Sequence, residues 1–79
     1  MKEELKILEE FEKDSKWLAD NYGKVKEKYV NKFIAVKNKQ VIDNDDDFHK
    51  LIKRLRDKGE DLRRVVIEFV PPEDVVLVL

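Results

Sequence analysis

The sequence predicts one small α+β domain spanning residues 1–79, with the element order α-(α)-β-β-α-β-β. Three observations predict this class. Two segments carry apolar residues at helical spacing, four short segments are rich in valine, isoleucine and phenylalanine, and no repeat or linker divides the chain. We expect a three- or four-stranded, mainly antiparallel sheet with the helices packed on one face.

The first helix is predicted from residue 2 to about residue 20. Its apolar positions recur at intervals compatible with 3.6 residues per turn. They are Leu5, Leu8, Phe11, Leu18 and Tyr22. We expect this stripe to face the core, and the glutamates of the first turns to favour the positive end of the helix dipole.

Asn21 and Gly23 interrupt the helical pattern, because both residue types are poor in helix interiors. A second short helix from about Gly23 to Tyr29 is one interpretation, and a bend in a single helix is the other. Lys32 to Lys37 then has the composition of a strand. Asn38-Lys39 is a plausible two-residue turn, and Gln40 to Asp43 is the partner strand of a hairpin.

The next helix has the cleanest periodicity in the chain. Asp46 or Asp47 is its expected N-cap, and Gly59 its expected left-handed stop. Between them, apolar residues stand at i, i+3, i+4 and i+7. They are Phe48, Leu51, Ile52 and Leu55.

Two apolar segments complete the predicted sheet. Val65 to Val70 is a strand, Pro71-Pro72 breaks it, and Val75 to Leu79 is a last, wholly apolar strand. The crossover through the helix after the hairpin should return a strand parallel to the second one. The simplest sheet places the first strand in the centre, flanked by the second and third.

Composition narrows the classes of function. The chain has no cysteine, which excludes disulfides and thiolate metal sites, and its single histidine cannot build a multi-histidine site. We expect no cofactor. The bias toward lysine and glutamate resembles that of heat-adapted proteins. No signal peptide or membrane span is visible, so we expect a soluble cytoplasmic protein.

The sequence offers little for catalysis. Asp43 to Asp47 resembles the start of a calcium loop, but Phe48 and Arg54 occupy the positions where an EF-hand needs glycine and glutamate. We interpret the aspartates as a solvated loop and helix cap. Ser15 and His49 would have to meet to form a nucleophile and base, and nothing local predicts it. We therefore expect no enzymatic activity.

Nucleic-acid binding is the alternative function that the sequence leaves open. Helix-borne and neighbouring basic residues are its candidate contacts. They are Lys50, Lys53, Arg54, Arg56, Arg63 and Arg64. Acidic residues intervene, and the 17 basic and 18 acidic side chains nearly cancel, so a solvated helix face is the favoured interpretation.

Apolar excess in the strands is the strongest indication of function. A sheet covered on one side should alternate apolar and polar residues. In the third strand, however, one face is apolar and the other, which carries Glu68, is mostly apolar, and the last strand has no polar residue. Either the second face of this last strand is covered, or the strand pairs with another chain. The candidate interface residues are Val66, Val70, Val75, Val76, Leu77, Val78 and Leu79. We expect a homodimer or a small regulatory subunit bound to a protein partner; closure of the monomer's own sheet is the alternative.

The pattern also resembles a family of short, mostly archaeal proteins known only as a domain of unknown function. The segments that carry the resemblance run from about residue 11 to residue 70. They are Trp17-Leu18, Asn21-Tyr22, Lys28-Tyr29, Lys32 to Val36, Val41, the Leu51/Leu55 helix ending in Lys58-Gly59, and Val65-Val66-Ile67. The turn Asn38-Lys39 stands where the family usually has Asn-Gly. The resemblance implies a fold and a cellular setting but no active site.

Overall fold

The structure is a computed structural model that describes residues 2–72. Over this range the chain forms three α-helices, one short 3-10 helix and three strands. The elements are α1 (Lys2–Asp20), α2 (Tyr22–Tyr29), β1 (Lys32–Lys37), β2 (Gln40–Asp45), α3 (Phe48–Asp57), the 3-10 helix (Leu62–Arg64) and β3 (Val66–Val70). The predicted last strand, Val75 to Leu79, lies outside the described residues.

The sheet has the order β2-β1-β3, and β1 is antiparallel to both neighbours. This confirms the α+β class, the antiparallel sheet and the central place of the first strand. Because β2 and β3 both run against β1, they run parallel to each other, as the crossover predicts.

The prediction that the helices pack on one face of the sheet is wrong. Ile34 and Val36 of β1 pack with Leu18 of α1 and Val25 of α2 in one buried cluster. Ala35, which lies between them and points to the opposite face, packs in a second cluster. The other members of that cluster are Leu51, Leu55 and Val65. The domain therefore has three layers, with α1 and α2 on one face and α3 on the other.

The physical reason for the three layers is visible in the central strand. Ile34, Ala35 and Val36 are all fully buried, which requires cover on both faces. The third strand behaves in the same way: Val66 and Val70 join the α1/α2 cluster, while Ile67 packs against the α3 cluster. Its apolar second face is thus covered within the monomer.

The hairpin turn places Lys39, a residue type that rarely adopts positive φ, in left-handed geometry beside Asn38. Asn38 and Lys39 both have positive φ, 52° and 58°, which is the geometry of a type I′ turn. Asp14 of α1 supports this turn, because its carboxylate accepts the backbone N–H groups of Asn38 at 3.2 Å and Lys39 at 2.9 Å. Asp14 is only 4% exposed, and it fixes the hairpin to α1.

The helical region before the hairpin is two helices, which decides between the two interpretations of the sequence. Asn21 separates α1 from α2, and its side-chain amide donates to the carbonyl of Trp17 at 2.9 Å. The helix after the hairpin is as predicted. Asp47 caps α3 by accepting the N–H of Lys50 at 3.1 Å, and Gly59 follows it with φ 81°.

Candidate interaction surfaces

Within residues 2–72, the edge of β3 away from β1 is free, with a groove on one side and aromatic rings on the other. In this part of the chain β3 pairs only with β1, so no strand lies beside that edge. On the α1 face, a groove of about 550 Å³ runs between this edge and the helices. Its walls are Ser15, Leu18, Ala19 and Tyr22 from the helices and Val66, Ile67 and Glu68 from β3.

Exposed aromatic rings lie on the α3 side of the same edge. Phe69 of β3 is 40% exposed, and its ring centroid lies 4.8 Å from that of Phe33. Phe48, at the start of α3, is 41% exposed and packs edge-on against Phe33 at 5.4 Å. Aromatic pairs of this kind are typical of interface centres when they remain accessible. Within residues 2–72, this edge of β3 therefore has backbone groups that no other strand pairs, together with a mixed polar and apolar groove on one side and aromatic rings on the other.

The first half of α1 exposes its apolar stripe. Leu5, Leu8 and Phe11 are 62%, 52% and 40% exposed, so the expectation that they face the core is wrong for these three residues. Leu18, farther along the same helix, is buried as predicted.

Ion pairs hold the other side of this half-helix to the body of the domain. Arg64 donates to Glu10 at 3.1 Å and to Glu3 at 3.2 Å, and Ile7 is half-buried between these positions. The first half of α1 is thus attached through a mainly charged face and presents an apolar face to solvent, which reverses the usual arrangement of a surface helix.

The candidate nucleic-acid contacts separate into two groups. The side chains of Lys50, Lys53 and Arg56 are exposed on α3. The three remaining arginines pair with carboxylates. Arg63 pairs with Asp61 at 2.8 Å, and Arg64 pairs with the glutamates of α1.

Arg54 is the most fully engaged of these arginines. Its guanidinium donates to both carboxylate oxygens of Asp43 at 2.8 and 2.9 Å, to Asp45 at 3.0 Å and to the carbonyl of Asn44 at 2.8 Å. These bonds tie α3 to β2. A phosphate group would have to compete with two carboxylates for this guanidinium, which makes Arg54 a poor nucleic-acid contact.

The hydrogen bonds between Arg54 and the two aspartates shift the pKa values of all three side chains. Hydrogen bonds from Arg54 are the main reason that the pKa of Asp43 falls to about 2, and partial burial opposes them. The pKa of Asp45 is lowered by the backbone N–H of Asp47 and then by Arg54. The pKa of Arg54 is raised by its bonds to Asp43 and then to Asp45. These aspartates therefore act as partners of α3.

The other residues considered in the sequence fall in three places. Val66 and Val70 are 7% and 0% exposed, so their side chains belong to the core of the monomer. His49 is exposed beside Phe48, and Ser15 lines the groove along α1. Val75 to Leu79 lie outside the described residues. Among residues 2–72, no group of three or more histidine, cysteine or acidic side chains is arranged to hold a metal.

The sequence did not predict three features. They are the bonds from Arg64 to Glu3 and Glu10 (the tether of α1), the bonds that Asp43 and Asp45 accept from Arg54 (the clamp on Arg54), and the support of the hairpin turn by Asp14. One signal for the clamp was present: Asp43 and Asp45 stand two apart on a strand, which places both on one face, and the basic helix follows at once. No comparable signal marks Asp14, because its partners are backbone groups of residues 24 and 25 positions away.

The fold and its surfaces define a small α+β domain whose accessible features are a sheet edge and a helix face. The chain belongs to a family of unknown function (DUF5678), whose match covers residues 24–73. The match begins within α2 and runs through β3, and the whole of α1 precedes it. We found no match to the chain among curated proteins or among solved structures. None of the helices within residues 2–72 has the length and apolar character that a membrane crossing needs.

Proposed function

We propose that this protein is a non-enzymatic interaction module that works as a homodimer, with a strand added at the free edge of β3. The observation that carries the proposal is the edge itself, which has a groove on the α1 side and exposed Phe69 on the α3 side. Unpaired edges with apolar surroundings attract further strands, and natural proteins cover or use them.

The three-layer architecture restricts how two copies can meet. Both faces of the described sheet are covered by helices, so packing of one open sheet face against another is not the mode we propose. Pairing at an edge leaves both layers intact. It also satisfies backbone groups of β3 that would otherwise rely on water.

The strand we propose for this edge is the predicted strand Val75 to Leu79 of a second copy. Five extended residues cover about 17 Å, which matches the five residues of β3. The segment is wholly apolar, so it suits an environment with a groove on one side and aromatic rings on the other.

The first test is the mass of the full chain in solution. Gel filtration with light scattering should give about twice the 9.5 kDa of one chain. The double variant Val76→Lys, Val78→Lys should reduce the mass to that of a monomer. A matched pair on α3, Lys50→Ala with Lys53→Ala, should leave the dimer unchanged. A wild-type chain that stays monomeric at high concentration would overturn the proposal.

A second test asks which copy donates the strand. The chain has no native cysteine, so two single-cysteine variants, Glu68→Cys and Leu77→Cys, can be mixed and treated with a short bismaleimide. Donation between copies predicts a cross-linked product of the two variants. If cross-linking instead occurs within one chain that carries both cysteines, and mixtures stay uncoupled, the monomer closes its own sheet and the donated strand is excluded.

We also propose that the protein works in the cytoplasm of a heat-adapted organism. The support is compositional: the chain lacks cysteine and is dense in lysine and glutamate. Thermal unfolding above about 80 °C would agree with that origin, whereas a transition near 50 °C is typical of mesophilic domains.

A further inference from the structure

We infer that the first three turns of α1 bind a basic amphipathic helix of a partner protein. This binding site is separate from the edge of β3 and does not depend on the homodimer. The inference begins from the reversed attachment of the helix, in which charged residues face the domain and apolar residues face solvent.

The attachment leaves the apolar face in a fixed position. Arg64 is only 24% exposed, and its bonds to Glu3 and Glu10 hold α1 against the 3-10 helix. Residues that lie three or four apart on a helix share a face, so Leu5, Leu8 and Phe11 form one ridge. Leu5 and Leu8 point away from the bonds to Arg64, whereas Phe11 lies closer to that side of the helix, beside the half-buried Ile7. The ridge is about 9 Å long, enough to meet roughly two turns of another helix.

The charge around the ridge favours one class of partner. Leu8 has Glu4 four residues before it and Glu12 four residues after it, and Leu5 has Glu9 at the next turn. All three glutamates are exposed. A partner whose apolar side chains meet the ridge therefore faces acidic residues on both flanks, and lysine or arginine at those positions would complement them.

The same charges disfavour a second copy as the occupant. A two-fold antiparallel pair of α1 helices centred on Leu8 would place Glu4 of one copy beside Glu12 of the other. Like charges at such positions weaken helix pairing. A basic helix from a different protein avoids this repulsion and covers the same apolar surface.

The probe we would use is a synthetic 18-residue helix with leucine at the core positions and lysine on both flanks. Its matched control carries glutamate in place of lysine. Fluorescence anisotropy with the full-length protein should show binding of the lysine peptide and at least about tenfold weaker binding of the glutamate peptide. Binding of the lysine peptide should weaken as salt is raised, because part of it is electrostatic.

Variants assign the binding to the ridge. Leu5→Ser and Leu8→Ser should each weaken binding of the lysine peptide by about tenfold, since they remove apolar contact area from positions that are more than half exposed. Lys13→Ala, on the opposite side of the same helix, should leave binding unchanged. The double charge reversal Glu4→Lys, Glu12→Lys should transfer the preference to the glutamate peptide.

Several results would overturn the inference. Equal binding of both peptides, or no binding at millimolar peptide, would remove the basic helix as the ligand. Variants of the ridge that bind as well as the wild type would place the binding elsewhere. If Leu8→Ser instead converts a dimer into a monomer, the ridge serves a second copy of this chain.

Discussion

Helix α3 and the first half of α1 are both amphipathic, but they are attached to the domain in opposite ways. In α3 the apolar residues Leu51 and Leu55 are buried against the sheet, and Arg54 ties the polar side to β2. In the first half of α1 the charged residues Glu3 and Glu10 face the domain, and the apolar ridge faces solvent.

The difference shows that amphipathicity alone does not decide which face of a helix is buried. What decides it is the surface that the rest of the chain offers. The sheet offers α3 an apolar surface, whereas the first half of α1 meets the 3-10 helix with its basic Arg64. A surface-facing apolar stripe that is held by charge is therefore available for a partner.

The sharpest way to test this contrast is to truncate one leucine in each helix. Leu55→Ala should lower the free energy of unfolding by about 3 kcal/mol, because Leu55 is 1% exposed and its removal leaves a cavity. Leu8→Ala should change it by less than about 0.5 kcal/mol, since Leu8 is 52% exposed. Urea denaturation measures both. Equal losses would mean that the ridge belongs to the core.

Asp14 marks the point on α1 where the helix becomes part of the folded core. Asp14→Ala should lower the free energy of unfolding by about 2 kcal/mol, because two backbone N–H groups of the hairpin turn lose their acceptor. Urea denaturation again gives the value. Asp20→Ala, an exposed acid at the end of the same helix, is the control and should be neutral. A neutral Asp14→Ala would show that the turn holds without α1.

The clamp on Arg54, which joins α3 to β2, should make the free energy of unfolding depend on pH. The pKa of Asp43 is lowered from 3.8 to about 2 in the folded chain. Its contribution is therefore complete above about pH 4 and is lost as the pH falls through 2, when the folded carboxylate takes up its proton.

We expect the Asp43 interaction to contribute about 1 kcal/mol, since Arg54 is partly exposed and solvent screens the pair. Asp43→Asn should make the loss of stability between pH 4 and pH 2 smaller by that amount in urea titrations. Asp57→Asn, at the exposed end of α3, should leave the wild-type slope. An unchanged slope in Asp43→Asn would show that the clamp on Arg54 does not stabilise the fold.

These tests also separate what the sequence could predict from what it could not. Local signals predicted α3 with its stop Gly59 and a cap at Asp46 or Asp47, of which Asp47 is the one used, and they predicted the hairpin with its two-residue turn. Each depends on neighbours within a few residues. The prediction that all helices pack on one face of the sheet was wrong because Ile34, Ala35 and Val36 form only an apolar run in the sequence. Such a run does not indicate which helix covers which face.

For the candidate surfaces, too, features that depend on sequence neighbours could be predicted, and features that depend on distant residues could not. The acidic segment before α3 and the basic helix itself were visible in the sequence, yet the engagement of Arg54 depends on how α3 packs across β2. Periodicity assigned Leu5 and Leu8 to the core, because it cannot detect that Arg64, 61 residues from Glu3, holds the opposite side of the helix. Long-range ion pairs of this kind leave no local pattern.

The smallest expected effect concerns the tether that keeps the ridge in place. Arg64→Ala should cost only about 0.5 kcal/mol of global stability, because its pairs with Glu3 and Glu10 are partly exposed. Its local effect should be larger, since the first turns of α1 have few buried contacts of their own. Amide hydrogen exchange should become faster over residues 3–11 and stay unchanged in α3.

Arg63→Ala is the matched control for the tether. Arg63 is a neighbouring arginine whose ion pair is with Asp61, only two residues away, and it acts on Glu3 and Glu4 only through charge attraction without a hydrogen bond. Its loss should therefore change exchange in α1 much less than the loss of Arg64. If both variants speed exchange equally, general positive charge near the acidic helix holds it, and a specific tether does not. If neither does, the first half of α1 is held by Ile7 and helix continuity, and the ridge would keep its position without any ion pair.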